Sequence, residues 1–326
     1  MTALSEEFEK VAKLVRKEYG PSAVTTGDKV PDVERVPTGF ARLDKILRGG
    51  WPKGRIIEVW GPQSAGKTML LMRTVAVLQA ANPKARIVYF DLENTFDKAW
   101  ASKFGVNLQR LFVVKAVPAE RAGDLLLRVI RDKWDMAIVD SVVEMIPEKV
   151  LGKDTGQQTY APVATVLSAL LPKVVVLQSN SPTIVILVNQ VRDNIGFFLG
   201  KGTKSPGGNA LYHLDSLKLR VQRKEPITGA LLTPALEKRL TEYGVAKILP
   251  KKDYGYVMAI KVVKSKVSKE KEFCLLPVLF DIGIVEEAIQ GATTSGKPAS
   301  GAAAGATGQG GASKSDAVRD GAGVKR

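Results

Sequence analysis

Eight residues, Gly61-Pro-Gln-Ser-Ala-Gly-Lys-Thr68, match the pattern G-x-x-x-x-G-K-[ST] in full. Such a loop needs a strand before it and a helix after it. Gly61 and Gly66 let backbone N–H groups close on a phosphate, with Pro62, Gln63, Ser64 and Ala65 as the turn between them. Lys67 brings positive charge to the outer phosphates, and the Thr68 hydroxyl can ligate Mg²⁺. The flanks fit: Arg55 to Trp60 reads as a strand, and Met69 to Ala81 as an apolar helix whose positive N-terminus points at the bound anion. The pattern therefore predicts a triphosphate site.

From residue 36 onward strands alternate with helical stretches, as in a mostly parallel sheet covered on both faces. Three continuous apolar runs, 86–93, 136–140 and 183–190, read as strands buried on both sides, and each ends in polar residues. Ligands of open α/β sheets sit at the carboxyl ends of the strands, so Glu93, Asp140 and Gln190 are expected to converge on the phosphates held by Lys67. Asp140 is suited to hold Mg²⁺ through water, and Glu93 to orient or deprotonate an attacking water. Gln190 cannot titrate, and its amide is suited to sense a γ-phosphate and report on it to the next loop. Trp100 offers either a flat face for an adenine ring or a core side chain.

Two loops leave these strand ends. The first, 147–158, is polar; the second, 191–210, combines Arg192, Lys201 and Lys204 with Phe197, Phe198 and several glycines, Gly207 and Gly208 among them. Cations and glycine N–H groups suit phosphates, and apolar side chains can enter between bases, so the second loop reads as a nucleic-acid contact. A net charge of +15 also suggests a polyanionic partner. Further on, 217–222 alternates like a strand, 234–243 reads as a helical insertion, and 259–266 reads as a basic strand carrying Lys261, Lys264 and Lys266, with a solvated edge strand as its simplest placement. The lone His213 has no catalytic companion motif and is assigned to packing or an interface.

At the N-terminus, Leu4, Phe8, Val11, Val15 and Tyr19 share one face of an amphipathic helix, followed by a short extended piece, 22–26. This arm can dock on a neighbour or fold back on its own domain. The single cysteine, Cys274, excludes an internal disulfide. No signal-peptide hydrophobic region and no membrane-length apolar run occur, which leads to the expectation of a cytoplasmic protein with no membrane partner. From Gly291 the chain is dominated by Gly, Ala, Ser and Thr, and reads as a disordered tail.

Taken in order, Gly61 to Thr68, Asp91-Leu-Glu93, Ile138 to Ser141, Val188-Asn-Gln190 and Gly207-Gly-Asn-Ala210 resemble the RecA-type recombinases, over about residues 1–289. Thr38-Gly39, Leu43-Asp44 and Lys261 to Lys266 extend the match. The resemblance implies an α/β fold with a RecA-like P-loop ATPase core at 36–290, an N-terminal helix-strand oligomerisation arm at 1–35, and a tail at 291–326. It implies ATP and Mg²⁺ as cofactors, Glu93 as the catalytic glutamate, Asp140 at the metal, Gln190 as γ-phosphate sensor, and Asp97 and Trp100 beside adenine. Lys264 and Lys266 would reach the γ-phosphate of a neighbouring subunit. Single-stranded DNA and homologous duplex DNA would be the partners of a helical homo-oligomer, in recombination and repair. Two departures stand out: the segment between Arg223 and Ala259 is longer than the bacterial pattern, and a slightly basic Gly/Ala tail stands where the family has a globular domain with an acidic tail. A compact form of this kind suits a bacteriophage version, acting in its host's cytoplasm. The competing expectation is a ring-forming motor of the same fold, a helicase or a loader.

Overall fold

The structure, a computed structural model, describes residues 3–20, 23–152, 162–191 and 208–286. In chain order the elements are α1 (Ala3–Tyr19), β1 (Arg35–Val36), α2 (Ala41–Ile46), β2 (Trp51–Pro52), β3 (Ile56–Gly61), α3 (Lys67–Ala81), β4 (Ile87–Asp91), α4 (Lys98–Lys103), β5 (Leu111–Lys115), α5 (Ala119–Arg131) and β6 (Met136–Asp140). There follow α6 (Glu148–Leu151), α7 (Pro162–Gln178), β7 (Ile184–Gln190), α8 (Gly208–Leu214), β8 (Leu217–Thr228), α9 (Pro234–Glu242), β9 (Asp253–Ser265), β10 (Phe273–Leu279) and β11 (Gly283–Ile284).

The main sheet runs β11-β10-β9-β8-β3-β7-β6-β4-β5. From β8 to β5 neighbouring strands are parallel; β9, β10 and β11 are added antiparallel. The central strands β3, β4, β6 and β7 are apolar along most of their length because both of their faces are covered, with Glu58 of β3 and Asn189 of β7 as buried polar exceptions. On β7, Ile184, Ile186 and Val188 enter one core with Leu70, Leu71 and Val75 of α3, and Val185 and Leu187 enter another with Leu126 and Ile130 of α5 and Leu167, Leu171 and Val174 of α7. Alternation across the pleat thus sorts one strand between two cores.

A third, smaller core belongs to the long connection between β8 and β9. Leu232, Leu236 and Leu240 pack with Ile227, Tyr254, Val257, Leu279, Ile282 and Val285. The insertion therefore packs against residues 279–285 and is part of the fold. α9 matches its expected position, starting on Pro234 as a helix can, because the first N–H groups have no intrahelical acceptor.

Two expectations change. The lysine-bearing strand is not a solvated edge: β9 lies between β8 and β10, because residues 273–279 form a further antiparallel strand that covers it. The arm keeps its helix, but residues 23–26 pair with no strand among the described residues; Thr26 is extended and a short 3₁₀ turn follows at Gly27–Lys29. On α1 the small Ala12 is buried, while Phe8, Val11 and Leu14 are exposed. The tail at 291–326 lies outside the described residues.

Candidate functional site

β3 ends on Gly61, and α3 begins after Gly66, so the turn 61–68 sits at the carboxyl edge of the sheet. Both glycines are needed where they stand. Gly66 caps α3 with φ at 95°, in the left-handed region, and a side chain there would meet the Met258 sulfur at 3.0 Å and the Tyr256 hydroxyl at 3.2 Å. Gly61 passes so close to β8 that a Cβ would lie 2.0 Å from the Val221 carbonyl oxygen. Gly61→Ala is therefore expected to force β3 from β8 and to lower stability by at least the roughly 1–3 kcal/mol of an overpacked core. Denaturant unfolding checks this, and an unchanged midpoint would show that the strands separate freely.

Lys67 is buried and curls back over its own loop, donating to the carbonyls of Gly61 at 3.1 Å and Pro62 at 2.8 Å. Burial lowers its pKa, while the carboxylates of Asp140 and Glu93 oppose that shift. Thr68 donates its hydroxyl proton to Asp140 Oδ2 at 2.9 Å, and the Tyr89 hydroxyl donates to the same oxygen at 2.6 Å. Burial pushes the Asp140 carboxyl upward; the hydrogen bonds from Tyr89 and Thr68 pull the other way, Glu93 adds to the rise, and Lys67 opposes it. Burial also raises the Tyr89 phenol, with Asp140 beside it, so Tyr89 stays a donor and fixes the carboxylate's orientation.

The Gln190 side-chain amide donates to Glu93 Oε1 across the cleft. Gln190 lies at the end of β7, and Glu93 just beyond the end of β4. Asp91 shapes the latter turn by accepting the backbone N–H groups of Thr95 at 2.9 Å and Phe96 at 3.1 Å. One cleft is lined by Gln63, Ser64, Gly66, Lys67, Thr68, Glu93, Trp100, Asp140 and Gln190, together with Met69 and Tyr256. The convergence expected of the three strand ends is thus present.

Trp100 lines the cleft and packs edge-on against Phe104, with ring centres 5.1 Å apart. Asp97 is the N-cap of α4, its Oδ1 accepting the Trp100 backbone N–H at 2.9 Å, and it does not line the cleft. Gly61, Pro62 and Ala65 shape the turn from outside the cleft lining. Gly208 opens α8 with φ at 75°. Arg192, Phe197, Phe198, Lys201, Lys204 and Gly207 lie outside the described residues.

Lys264 and Lys266 do not line the cleft of their own chain. Both ammonium groups are held at the C-terminal end of α8: Lys264 by the Asp215 carboxylate and the carbonyls of Tyr212 and Asp215, Lys266 by the His213 carbonyl at 2.8 Å. His213 is exposed, and its backbone serves this contact.

Tyr89 and Tyr256 were not singled out from sequence. Tyr89 had a usable signal, being two residues before the polar end of a buried strand on the pleat face opposite Phe90. Tyr256 had none, because only the return of β9 beside β8 brings it over Gly66.

Oxygen donors from Thr68 and Asp140 fit Mg²⁺, which is usually held by one or two carboxylates plus substrate phosphates. Among the described residues no group of three or more His, Cys, Asp or Glu side chains could hold a metal by itself, and no helix is long and apolar enough to cross a membrane.

Residues 6–285 match the family described as RecA N-terminal domain. Similar curated proteins include Protein RecA of Porphyromonas gingivalis strain ATCC 33277, 30% identical over 274 residues, covering 83% of this chain and 74% of that protein. Protein RecA of Bacillus subtilis strain 168 is 30% identical over 279 residues, covering 84% and 74% of the two chains. Protein RecA of Bacteroides thetaiotaomicron is 30% identical over 288 residues, covering 87% and 79%.

Proposed function

This chain belongs to the RecA family, and on that premise we propose that it is a recombinase that binds ATP with Mg²⁺, assembles as a helical filament on single-stranded DNA, and pairs that DNA with a homologous duplex. The observation that carries the reading is the hydrogen bond from Gln190 to Glu93 above Lys67, Thr68 and Asp140. It joins a neutral sensor to the carboxylate that would act on water.

The position of each residue supports the chemistry assigned to it. Lys67 leaves the carbonyls of Gly61 and Pro62 for the β- and γ-phosphates, exchanging neutral acceptors for charged ones. Mg²⁺, held through Thr68 and Asp140, would supply charge neutralisation to the phosphates. Glu93 orients the attacking water and accepts its proton. Gln190 turns its amide from Glu93 to the γ-phosphate, leaving Glu93 open to water, and returns when the phosphate has gone. Trp100 stacks beside the adenine ring, with Asp97 fixing the start of its helix. Exchange of DNA strands breaks no covalent bond in DNA.

Loop 191–210 follows Gln190 directly, so its DNA contacts would feel the state of the nucleotide. Those contacts are assigned to Arg192, Lys201, Lys204, Phe197, Phe198 and the glycine backbone at Gly207 and Gly208. Replacing Arg192 and Lys204 with alanine is expected to weaken single-stranded DNA binding for all sequences alike. It should also flatten the dependence of log affinity on log salt by about 0.7 for each phosphate that is no longer neutralised. Fluorescence anisotropy at several salt concentrations measures both, and an unchanged slope would remove this loop from the DNA site. The reading as a whole is tested by hydrolysis and pairing together: ATP turnover should rise with single-stranded DNA, and joint molecules should form with homologous but not with unrelated duplex.

A further inference from the structure

A row of buried charges crosses the sheet beneath the proposed site. Glu58, in the middle of β3, is fully buried; its register partner on β8 is Lys218, whose own partner on β9 is Lys264. Lys218 Nζ lies 2.6 Å from Glu58 Oε2. On its other side Glu58 accepts the Asn189 side-chain amide at 2.9 Å, and Asn189 Oδ1 accepts the backbone N–H of Gln190 at 2.9 Å. Beyond Lys218, the Tyr212 ring has the Lys218 ammonium 5.8 Å from its centre and the Lys264 ammonium 5.1 Å away. Lys264 is clasped by Asp215, which is also fully buried. The row thus begins at the γ-phosphate sensor and ends at the lysine assigned to the neighbouring subunit.

Stability is a poor explanation for two buried carboxylates, a buried ammonium group at Lys218 and a partly buried one at Lys264, since apolar residues in such positions usually serve as well. The cluster makes sense as a device that lets one of its members leave. When Lys264 leaves for a phosphate, Asp215 would remain a buried carboxylate without its partner, which is costly. Asp215 Oδ2 has no hydrogen-bond partner among the described residues, and the Asp215 carboxyl feels the charges of both Lys218 and Glu58. Lys218, whose ammonium lies over the same Tyr212 ring as that of Lys264, is the cation that would serve Asp215 in place of Lys264. How freely it does so depends on Glu58, and Glu58 is held by the residue next to Gln190.

We propose that Glu58, Lys218 and Asp215 are positioning residues that couple Gln190 to Lys264: Lys218 passes from Glu58 to Asp215 as Lys264 is released toward the neighbouring nucleotide. The inference rests on the assignment of Gln190 and Lys264 under the proposed function. It adds a route between them that runs through the sheet.

The test compares hydrolysis with and without single-stranded DNA, together with thermal unfolding. The double variant Glu58→Gln, Lys218→Met removes the ion pair while keeping an acceptor for Asn189, and should unfold near the wild-type midpoint. Its DNA stimulation is expected to fall about fivefold or more, with the DNA-free rate unchanged, because nothing replaces Lys264 at Asp215. Adding Asp215→Asn, which loosens the hold on Lys264, should restore stimulation; alone it should lower the DNA concentration needed for half-maximal stimulation. A merely structural pair predicts full stimulation in the double variant, and that result would overturn the proposal. So would a double variant that fails to fold accompanied by an unchanged DNA requirement in Asp215→Asn. Lys264→Ala separates the two levels: full DNA stimulation in that variant would overturn the assignment of the lysine itself, and the coupling with it.

Discussion

Alanine at Lys67 is expected to abolish measurable ATP hydrolysis with and without DNA, a loss of about a hundredfold or more, as for removal of a single preorganised charge in a phosphoryl-transfer site. Lys67 is buried against two backbone carbonyls at 2.8 and 3.1 Å, so its ammonium is already placed and desolvated before nucleotide arrives. Substitution removes the charge and leaves those carbonyls without their donor. Glu93→Gln should behave differently. It keeps the shape of the cleft, so nucleotide should still bind, while turnover falls by about 10²–10⁴, the usual contribution of a general base. Filaments of that variant should persist once formed. Equal nucleotide affinity in wild type and Lys67→Ala, or a normal DNA-dependent rate in Glu93→Gln, would reverse the assignment of these residues.

Loss of both Lys264 and Lys266 is expected to lower DNA-dependent hydrolysis by about a thousandfold, the scale of a cation supplied across an interface to a transferring phosphate. Neither lysine lines its own chain's cleft, and both rest on the end of α8. Their action on a nucleotide therefore requires a second copy. A mixing experiment isolates this. Subunits with Lys67→Ala but intact late lysines are combined with subunits lacking both late lysines but carrying an intact Lys67, each pool being inactive alone. Hydrolysis should return where an intact phosphate loop meets intact lysines. No recovery, in filaments shown to be mixed, would leave the lysines as ordinary constituents of a basic strand.

Much of the core was legible because its causes are local in sequence. A parallel strand covered on both faces is mostly apolar, so β3, β4, β6 and β7 stood out, and the residues at the ends of such runs fall at one edge of the sheet. That is why Glu93, Asp140 and Gln190 could be named with the loop at 61–68. What was not legible depends on pairing between distant segments. β9 reads as a basic edge until β10 is placed beside it, and β10 carries no motif. Lys264 looks solvated from its neighbours Lys261 and Lys266, yet the fold gives it a buried carboxylate from a residue 49 positions earlier. Glu58 reads as one polar residue in an apolar strand; only the register of β8 against β3 shows its counter-charge at Lys218. The third core was invisible for the same reason, since Leu236 and Leu240 find Leu279 and Val285 across the insertion.

The central claim is that this chain forms a helical filament on single-stranded DNA in its ATP-bound state. Electron microscopy of the full chain with single-stranded DNA and a slowly hydrolysed ATP analogue tests it most directly. Continuous helical filaments that depend on both DNA and nucleotide are the predicted result. Closed rings, or particles unchanged by nucleotide and DNA, would contradict it.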